Sequence, residues 1–366
     1  MKLLVLAQVP PPHHGQSAMV ELLVRTLPEV RPDIELHHVN LRVSEASDDI
    51  GRWQIGKYFA AKRVIAEAHN IIEHHKIDML YYVPAPGKRI ALWRDLLILS
   101  KLRPHVKKLI LHWHASGLGG WLESQGWNWE RRAAQHWLGN ADLSIVLGEA
   151  LRADAECLSP VRTEVIRNGI QDPTPNQRQA KKPDRPLTVL FVGECSESKG
   201  IFRAIEGLRE ANRRRKGSVR LSVAGKFPNQ ETESKFHNIC GKSTFPIDYH
   251  GFVEGTEKNA LFERADCLIF PTTYPYETQG LVVTEALAYD LPVIITRWRA
   301  VHESLPNSHA LTVEPDAEIA SSIAKQLERL SECPPATGSA RAYFLDHYTA
   351  ERFIRQIAAA ISPLMK

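Results

Sequence analysis

The sequence lacks any long hydrophobic run. A membrane-spanning helix needs about twenty consecutive apolar residues, and no such stretch occurs, although 43% of the 366 residues are hydrophobic. The first apolar run, Leu3 to Val9, is short and ends at three prolines, which is not typical of a secretory signal. We therefore predict a cytoplasmic protein with no membrane-spanning helix and no cleaved leader.

Cysteine is scarce, and the five cysteines include no C-x-x-C pair. Neither a disulfide framework nor a zinc site is predicted, and a reducing compartment fits best. No G-x-G-x-x-G motif occurs, so a dinucleotide-dependent dehydrogenase is disfavoured. The formal net charge of +4 is too small to indicate a nucleic-acid partner.

Short apolar runs alternate with stretches of helical pattern over most of the chain, which indicates α/β architecture with parallel sheets. Residues 171–186 are turn-rich and contain four prolines, as is typical of a linker. We predict two Rossmann-like domains, residues 1–172 and 186–346, with ligands bound in the cleft between them, beyond the carboxyl ends of the strands. The predicted strands are Leu3–Val9, Met79–Val83, Lys108–Trp113, Leu143–Leu147, Leu187–Val192, Val219–Ala224, Cys267–Phe270 and Pro292–Thr296.

The most informative segment is PTTYPYETQGLVVTEALAYDLPV at 271–293. Glu277 follows a predicted strand, and Glu285 lies eight positions later in an apolar helix predicted to begin near Gln279. That spacing returns to nearly the same helix face, so both carboxylates could address one elongated ligand. The N–H groups at the helix start favour an anion or sugar hydroxyls. From spacing alone, a helix-capping acid and an exposed helical charge explain the pair about as well.

This segment resembles the E-x7-E signature of family 4 of the retaining glycosyltransferases, which include the bacterial group 1 enzymes. Other elements resemble the family in the same order: VIRNGI at 165–170, FVG at 191–193 with Lys199-Gly200, YHGFV at 249–253 and ADCLIFP at 265–271. The resemblance implies the GT-B fold, two Rossmann-like domains around a nucleotide-sugar site. It also implies that a C-terminal helix, within 347–366, packs back on the first domain.

The resemblance assigns roles to residues of the second domain. Glu277 would hold hydroxyls of the donor sugar, Glu285 the ribose hydroxyls, and Lys199 the donor diphosphate, where a cation stabilises the departing charge. The backbone around Thr278, Gln279, Gly280 and Leu281 would contact sugar or phosphate. Gly193 and the Phe252-Val253 pair belong to other elements of the donor site.

Two residues of the first domain are assigned in the same way. Gly15, in the loop PPPHHGQS, matches the family's glycine-containing loop, where the backbone approaches the phosphate and the transferring sugar. Ser17 could cap the following helix. His114 matches the family histidine near the donor sugar, although His112 points to the same strand face and remains an alternative.

Position 194 departs from the family pattern. The family usually has arginine there, paired with the lysine on the phosphates, and this chain has Glu194. A carboxylate about 4 Å from a diphosphate would cost on the order of 4 kcal/mol per unit charge at an effective dielectric constant near 20. Either Glu194 turns away, or Lys226 or Arg297 supplies the charge, or activity is lost.

The resemblance predicts transfer of a sugar from a UDP- or GDP-sugar to a hydroxyl of a glycan or lipid-linked acceptor, with retention, in bacterial surface polysaccharide or glycoconjugate synthesis. No Asp-x-Asp motif occurs, so no metal and no other cofactor is expected. The alternatives are a catalytically silent nucleotide-sugar-binding scaffold, an epimerase and a phosphorylase.

The segment Gly87–Lys108 is basic and amphipathic, with seven Lys and Arg residues against Asp95 alone. Such a segment could contact anionic headgroups at a membrane surface. A helix with one buried apolar face and one solvated basic face is the more ordinary interpretation.

Overall fold

The computed structural model describes residues 1–11, 14–41, 54–174, 185–306 and 308–365. The chain divides into two compact units. The first unit comprises Met1–Gly169 together with Ala350–Lys366, and the second comprises Ile170–Thr349. No helix in the described ranges is long and apolar enough to cross a membrane.

The first unit contains a parallel six-stranded sheet in the order β2-β1-β3-β4-β5-β6. Its strands are β1 (Lys2–Ala7), β2 (Glu35–Asn40), β3 (Met79–Tyr82), β4 (Lys108–Trp113), β5 (Leu143–Val146) and β6 (Thr163–Val165). Its helices before the second unit are α1 (Gly15–Val30), α2 (Gln54–His75), α3 (Arg89–Leu102), α4 (Leu118–Ser124), α5 (Asn128–Trp137) and α6 (Arg152–Glu156).

The second unit contains another parallel six-stranded sheet, in the order β12-β11-β10-β7-β8-β9. Its strands are β7 (Leu187–Val192), β8 (Val219–Ala224), β9 (Ile247–Tyr249), β10 (Cys267–Phe270), β11 (Val293–Thr296) and β12 (Ala310–Val313). Its helices are α7 (Ile201–Arg214), α8 (Gln230–Gly241), α9 (Gly255–Arg264), α10 (Leu281–Ala288), α11 (Ile319–Glu332) and α12 (Ser339–His347).

All eight strands predicted from the sequence are present, four of them with the same bounds. The four that the sequence did not predict are β2, β6, β9 and β12, which lie at the edges of the two sheets. An edge strand is partly exposed and lacks the continuous apolar run of a strand buried on both faces. The run-based prediction therefore found only the inner strands.

The units divide at slightly different positions from the predicted domains. Ile170 donates its backbone N–H to the Tyr348 carbonyl oxygen at 2.8 Å, and Asp172 accepts from Arg341 at 2.7 Å. Both contacts lie within the second unit, which therefore begins at Ile170 rather than 186 and ends at Thr349 rather than 346. Most of the predicted linker, residues 175–184, lies outside the described residues.

The last helix, α13 (Ala350–Ile361), completes the core of the first unit. Its residues Phe353, Ile357 and Ile361 are buried in one apolar cluster with strands β1, β3 and β5 and helix α1. Arg31, at the end of α1, donates to the Ser362 hydroxyl just beyond α13 at 2.5 Å. Helix α13 is thus an integral part of the first unit.

We expect Phe353→Ala to lower the free energy of unfolding of the first unit by about 3–5 kcal/mol, the usual cost of removing a buried phenyl ring. Phe353 is 1% exposed, so its removal loses the burial of nearly the whole ring. Urea unfolding measures the change, and Arg355→Ala on the exposed face of the same helix is the control. Equal stability of the two variants would contradict the packing role of α13.

Candidate functional site

The segment between β10 and α10 is shaped by Gly280. This residue precedes the first helical residue and has φ of 70°, in the left-handed region that favours glycine. A Cβ at this position would lie 2.9 Å from Cε1 of Phe270 and 3.3 Å from Cγ1 of Val301. Because Gly280 turns the chain sharply, α10 begins at Leu281, two residues later than the sequence indicated.

Glu277 and Lys199 form an ion pair at this turn. The Lys199 Nζ atom lies 2.7 Å from Oε2 of Glu277, and the Thr272 hydroxyl donates to the same oxygen at 3.2 Å. Glu277 is only 7% exposed, and a buried carboxylate is strongly disfavoured without a cation and hydrogen bonds. The structure therefore brings together two residues that are 78 positions apart in the chain.

Lys199 reaches Glu277 because its loop is bonded to the loop after β10. The Thr273 N–H donates to the Ser198 carbonyl oxygen at 2.8 Å. Gly200, with φ of 91°, lies so close to this loop that a Cβ would stand 2.2 Å from the Pro271 carbonyl oxygen. The glycine of the Lys199-Gly200 pair thus permits the close approach that positions the lysine.

Glu285 lies one turn into α10, with its side chain partly exposed. Its Oε1 atom accepts from the Lys258 ammonium group of α9 at 2.6 Å. A carboxylate has about four lone-pair sites, so this ion pair leaves room for hydroxyl donors on Oε2. The sequence prediction did not include Lys258, and nothing in the E-x7-E spacing indicates it.

Three glycines, Gly193, Gly225 and Gly251, lie just beyond the carboxyl ends of the adjacent strands β7, β8 and β9 in the second unit. Gly193 follows β7, Gly225 follows β8, and the Gly225 N–H donates to the Gly251 carbonyl oxygen at 2.7 Å. A Cβ on Gly225 would stand 1.7 Å from the Gly193 carbonyl oxygen, so only glycine fits there. Beside this turn, the Lys226 Nζ atom lies 4.2 Å from the ring centroid of exposed Phe252. Val253 packs in part against the neighbouring apolar core.

Glu194 is exposed, next to Gly193, and has no ion pair within the part of the chain that the structure describes. Burial raises the pKa of Tyr274, and the charges of Glu194 and Glu277 raise it further, which places both carboxylates near that ring. The Lys199 Nζ atom lies 4.3 Å from the same ring centroid. Of the two cations considered as replacements for the family arginine, Arg297 pairs with Glu314 at 2.9 Å and Lys226 contacts Phe252.

In the first unit, Gly15 is the first residue of α1, and the cap of this helix differs from the prediction. His14, not Ser17, occupies the capping position. The His14 Nδ1 atom accepts from the Ser17 N–H at 3.2 Å, and the Ser17 hydroxyl accepts from the His14 N–H at 3.1 Å. Ser17 therefore completes a reciprocal capping box from inside the helix. Pro12 and His13 of the same loop lie outside the described residues.

His112 and His114 lie at the end of β4, with ring centroids 4.1 Å apart. Burial lowers the pKa of His112 well below its ordinary value, and repulsion from His114 adds to this effect. Burial, together with the nearby charge of His14, lowers the pKa of half-buried His114 to about 3. Both rings are therefore neutral near pH 7. His112 is fully buried and its Nδ1 atom hydrogen-bonds with the Tyr81 hydroxyl, while half-buried His114 is the more accessible of the two.

Comparisons with solved structures identify the fold. Sucrose-phosphate synthase from Thermosynechococcus elongatus superposes with a TM-score of 0.75 at 16% identity, covering 100% of this chain and 99% of that one. HepE from Anabaena, solved in complex with UDP-glucose, gives a TM-score of 0.69 at 17% identity over 99% of this chain and all of HepE. The chain has the α/β GT-B fold of glycosyltransferases, with two Rossmann-like domains, as the sequence predicted.

Comparisons of sequence show what the second unit is similar to. Residues 173–344 match the family model described as glycosyl transferases group 1. A glycogen synthase of Mycobacterium tuberculosis is 30% identical over 205 residues, which cover 53% of this chain and 47% of that protein. The match thus spans about half the length of this curated relative. These findings confirm the predicted resemblance to the group 1 glycosyltransferases.

We expect the free energy of unfolding of the first unit to fall as the pH is lowered from about 6.5, the pKa of an unfolded histidine, toward 3. In that range the unfolded histidines bind protons and the folded His112 and His114 do not, so protons favour unfolding. Each group contributes at most about 1.4 kcal/mol per pH unit.

Urea titrations of His112→Gln between pH 5 and 7 test this expectation. The variant should show a shallower dependence of stability on pH than the unsubstituted protein. The exposed His74 provides a matched control, His74→Gln, which should retain the original slope. An unchanged slope in His112→Gln would show that His112 titrates normally.

Proposed function

We propose that the protein transfers a sugar from a UDP- or GDP-sugar to a hydroxyl group of a glycan or lipid-linked acceptor, with retention of anomeric configuration. The group 1 match of the second unit supports a glycosyltransferase. UDP-glucose bound to HepE, which shares this fold, supports a nucleotide-sugar donor.

The Lys199–Glu277 ion pair is the observation that carries this proposal. A lysine ammonium group has three donors, and Glu277 takes one of them. Two donors remain for the oxygens of a diphosphate. A carboxylate has about four lone-pair sites, so Glu277 can also accept hydrogen bonds from sugar hydroxyls. This pair of side chains can therefore bind the sugar through Glu277 and the diphosphate through Lys199, the two groups joined by the bond that breaks.

The backbone at the start of α10 offers further donors to the same ligand. Within the described residues, the N–H groups of Gly280 and Leu281 have no acceptor in the protein. Such groups at a helix N-terminus favour phosphate oxygens or sugar hydroxyls. Glu285 would accept the ribose hydroxyls, and Phe252 with Val253 would lie near the nucleoside, as the family motifs imply.

The reaction exchanges one bond for another at the anomeric carbon. The bond from that carbon to the diphosphate oxygen breaks, and a bond to the acceptor oxygen forms on the same face. The acceptor proton passes to an oxygen of the leaving diphosphate, whose charge Lys199 stabilises. The low pKa of His114 leaves its ring neutral, so we assign it hydrogen bonding to the donor sugar, with Gly15 at the phosphate.

We further propose that no metal ion takes part, since Lys199 and the start of α10 supply positive potential and the chain has no Asp-x-Asp motif. The opening loop and the basic segment Gly87–Lys108 resemble those of enzymes that build bacterial surface polysaccharides on lipid carriers. This resemblance supports a role in such a pathway and a location in the cytoplasm, at the inner face of the membrane.

We expect Glu277→Gln to reduce turnover about a hundredfold, because hydrogen bonds to a charged acceptor contribute about 1.5–3 kcal/mol. The measurement is a screen of the purified protein against UDP-, GDP-, ADP- and dTDP-sugars for binding and hydrolysis, then transfer with the best donor, in EDTA and in Mg²⁺. Rates in the two conditions should agree. Exposed Glu318→Gln, on the same unit, is the control.

The outcomes of that screen separate the competing functions. Donor binding with turnover supports the transferase, and unchanged turnover in Glu277→Gln would refute the site. Binding without turnover would favour a silent scaffold, for which the exposed carboxylate of Glu194 is the motivating observation. A changed sugar without transfer would indicate an epimerase, and reaction with free phosphate a phosphorylase.

We expect Glu194→Gln to tighten the binding of a nucleoside diphosphate by about tenfold at low salt, because it removes a negative charge near the ring that Lys199 contacts. The gain should shrink as salt screens the interaction. Calorimetric titration with UDP and GDP measures it. Equal affinities for both proteins at low salt would mean that Glu194 turns away from the diphosphate.

A further inference from the structure

The surface of the first unit carries an unusual group of exposed apolar side chains on α3 and at the start of α5. We call Ile90, Trp93, Trp127 and Trp129 the tryptophan patch; their exposed fractions are 51%, 41%, 49% and 50%. The three indole rings are mutual neighbours, with centroid separations of 5.8 to 6.2 Å. A contiguous exposed apolar patch marks an interaction surface more often than an isolated residue does.

The patch is built on a buried charge. Glu130 is fully buried and accepts from the Trp93 indole N–H at 2.7 Å, from the Trp127 backbone N–H at 2.7 Å and from Arg89 Nε at 2.9 Å. The Arg89 guanidinium carbon lies 4.0 Å from the Trp127 ring centroid. These contacts hold Trp93 and Trp127 at the surface, so their exposure belongs to a defined local structure.

The direction of the Trp93 side chain bears on what the patch binds. Its only polar group is bonded inward to Glu130, so its exposed part is apolar. The three rings are tilted by 38° to 44° to one another and do not form a flat platform for a sugar ring. An apolar surface with indole rings at its boundary suits the interface between lipid headgroups and acyl chains.

The charges on α3 and α5 indicate that the lipids are anionic. Helices α3 and α5 contain one acidic residue each, Asp95 and Glu130, and both are buried. The exposed charges of the helices and of the residue before α3 are positive: Lys88, Lys101, Arg131 and Arg132. The exposed acidic residue nearest to these helices in the sequence is Glu123, on α4. This surface complements a membrane of negative surface potential.

We infer that the tryptophan patch docks on an anionic lipid bilayer, with the indoles and Ile90 entering the headgroup region and the cations contacting lipid phosphates. The sequence suggested membrane contact over all of Gly87–Lys108. The structure restricts the proposed contact to fewer residues of this segment, because several of its apolar side chains are buried in the protein: Leu92, Leu96, Ile98, Leu99 and Leu102. This inference concerns a surface remote in sequence from Lys199 and Glu277 and stands independently of the proposed donor chemistry.

Flotation of the full chain with lipid vesicles tests this inference. Vesicles of phosphatidylcholine alone are compared with vesicles that also contain phosphatidylglycerol. We expect binding to the anionic vesicles only. The double variant Ile90→Ser and Trp129→Ser should bind at least about tenfold more weakly, and Arg132→Gln about fivefold more weakly, as expected for one basic residue near such a surface. Trp93 is left in place because Glu130 depends on it.

Matched controls remove the same chemistry elsewhere. Leu345→Ser replaces another exposed apolar residue, and Lys216→Gln removes another exposed positive charge; both are in the second unit and should bind as the unsubstituted protein does. Melting temperatures and donor-sugar hydrolysis in the absence of lipid should be the same for all variants. Lipid binding tests this inference, and donor-sugar hydrolysis tests the proposed function. Because the two are measured separately, the failure of one can be told apart from the failure of the other.

Two results would overturn the inference. One is the absence of binding to anionic vesicles by the unsubstituted protein. The other is equal vesicle binding by the double variant and by Leu345→Ser. If the patch instead bound soluble oligosaccharides, with tryptophan fluorescence quenched by them and not by vesicles, it would be a saccharide site and the lipid assignment would be wrong.

Discussion

A carboxylate buried at the turn before α10 constrains the second unit around it. Glu277 needs a cation, and Lys199, which comes from the loop after β7, pairs with it. The two loops can meet only because Gly200 lets the backbone pass against Pro271. The candidate donor site therefore contains a structural ion pair, and loss of Lys199 would remove the cation that compensates the buried charge of Glu277.

The inner strands of both sheets could be predicted from the sequence because they are buried on both faces and appear as continuous apolar runs. The edge strands could not, since β2, β6 and β9 are only partly buried along their length and β12 alternates. The start of α10 was also misplaced, because a helical pattern does not show the backbone turn that Gly280 makes. The hydrophobic pattern of a sequence indicates which residues are buried, so it does not predict a strand that is only partly buried.

The candidate site was predictable in part. Motifs selected Glu277, Glu285, Lys199 and Gly193, and the structure adds neighbours that no motif indicates: Thr272, Tyr274 and Lys258. Thr272 and Tyr274 precede Glu277 in the same loop, whereas the contact of Tyr274 with Lys199 and that of Lys258 with Glu285 join separate segments. Those two contacts follow from the three-dimensional fold and not from spacing in the chain. The capping role of His14 was missed for a different reason, because serine is the commoner cap and the order of the two residues in the box is not evident from composition.

Helix α13 has a consequence for the order in which the protein can mature during synthesis. The residues that fill the core of the first unit include Phe353 and Ile361, which the ribosome adds after residues 170–349. Residues 170–349 are complete before then and form a compact unit of their own. Domains generally fold from the N-terminus during translation, but here the first unit must wait, with part of its apolar cluster uncovered, until α13 has been synthesised. A nascent chain would therefore expose part of the core of the first unit to chaperones even after the whole of the second unit has been made.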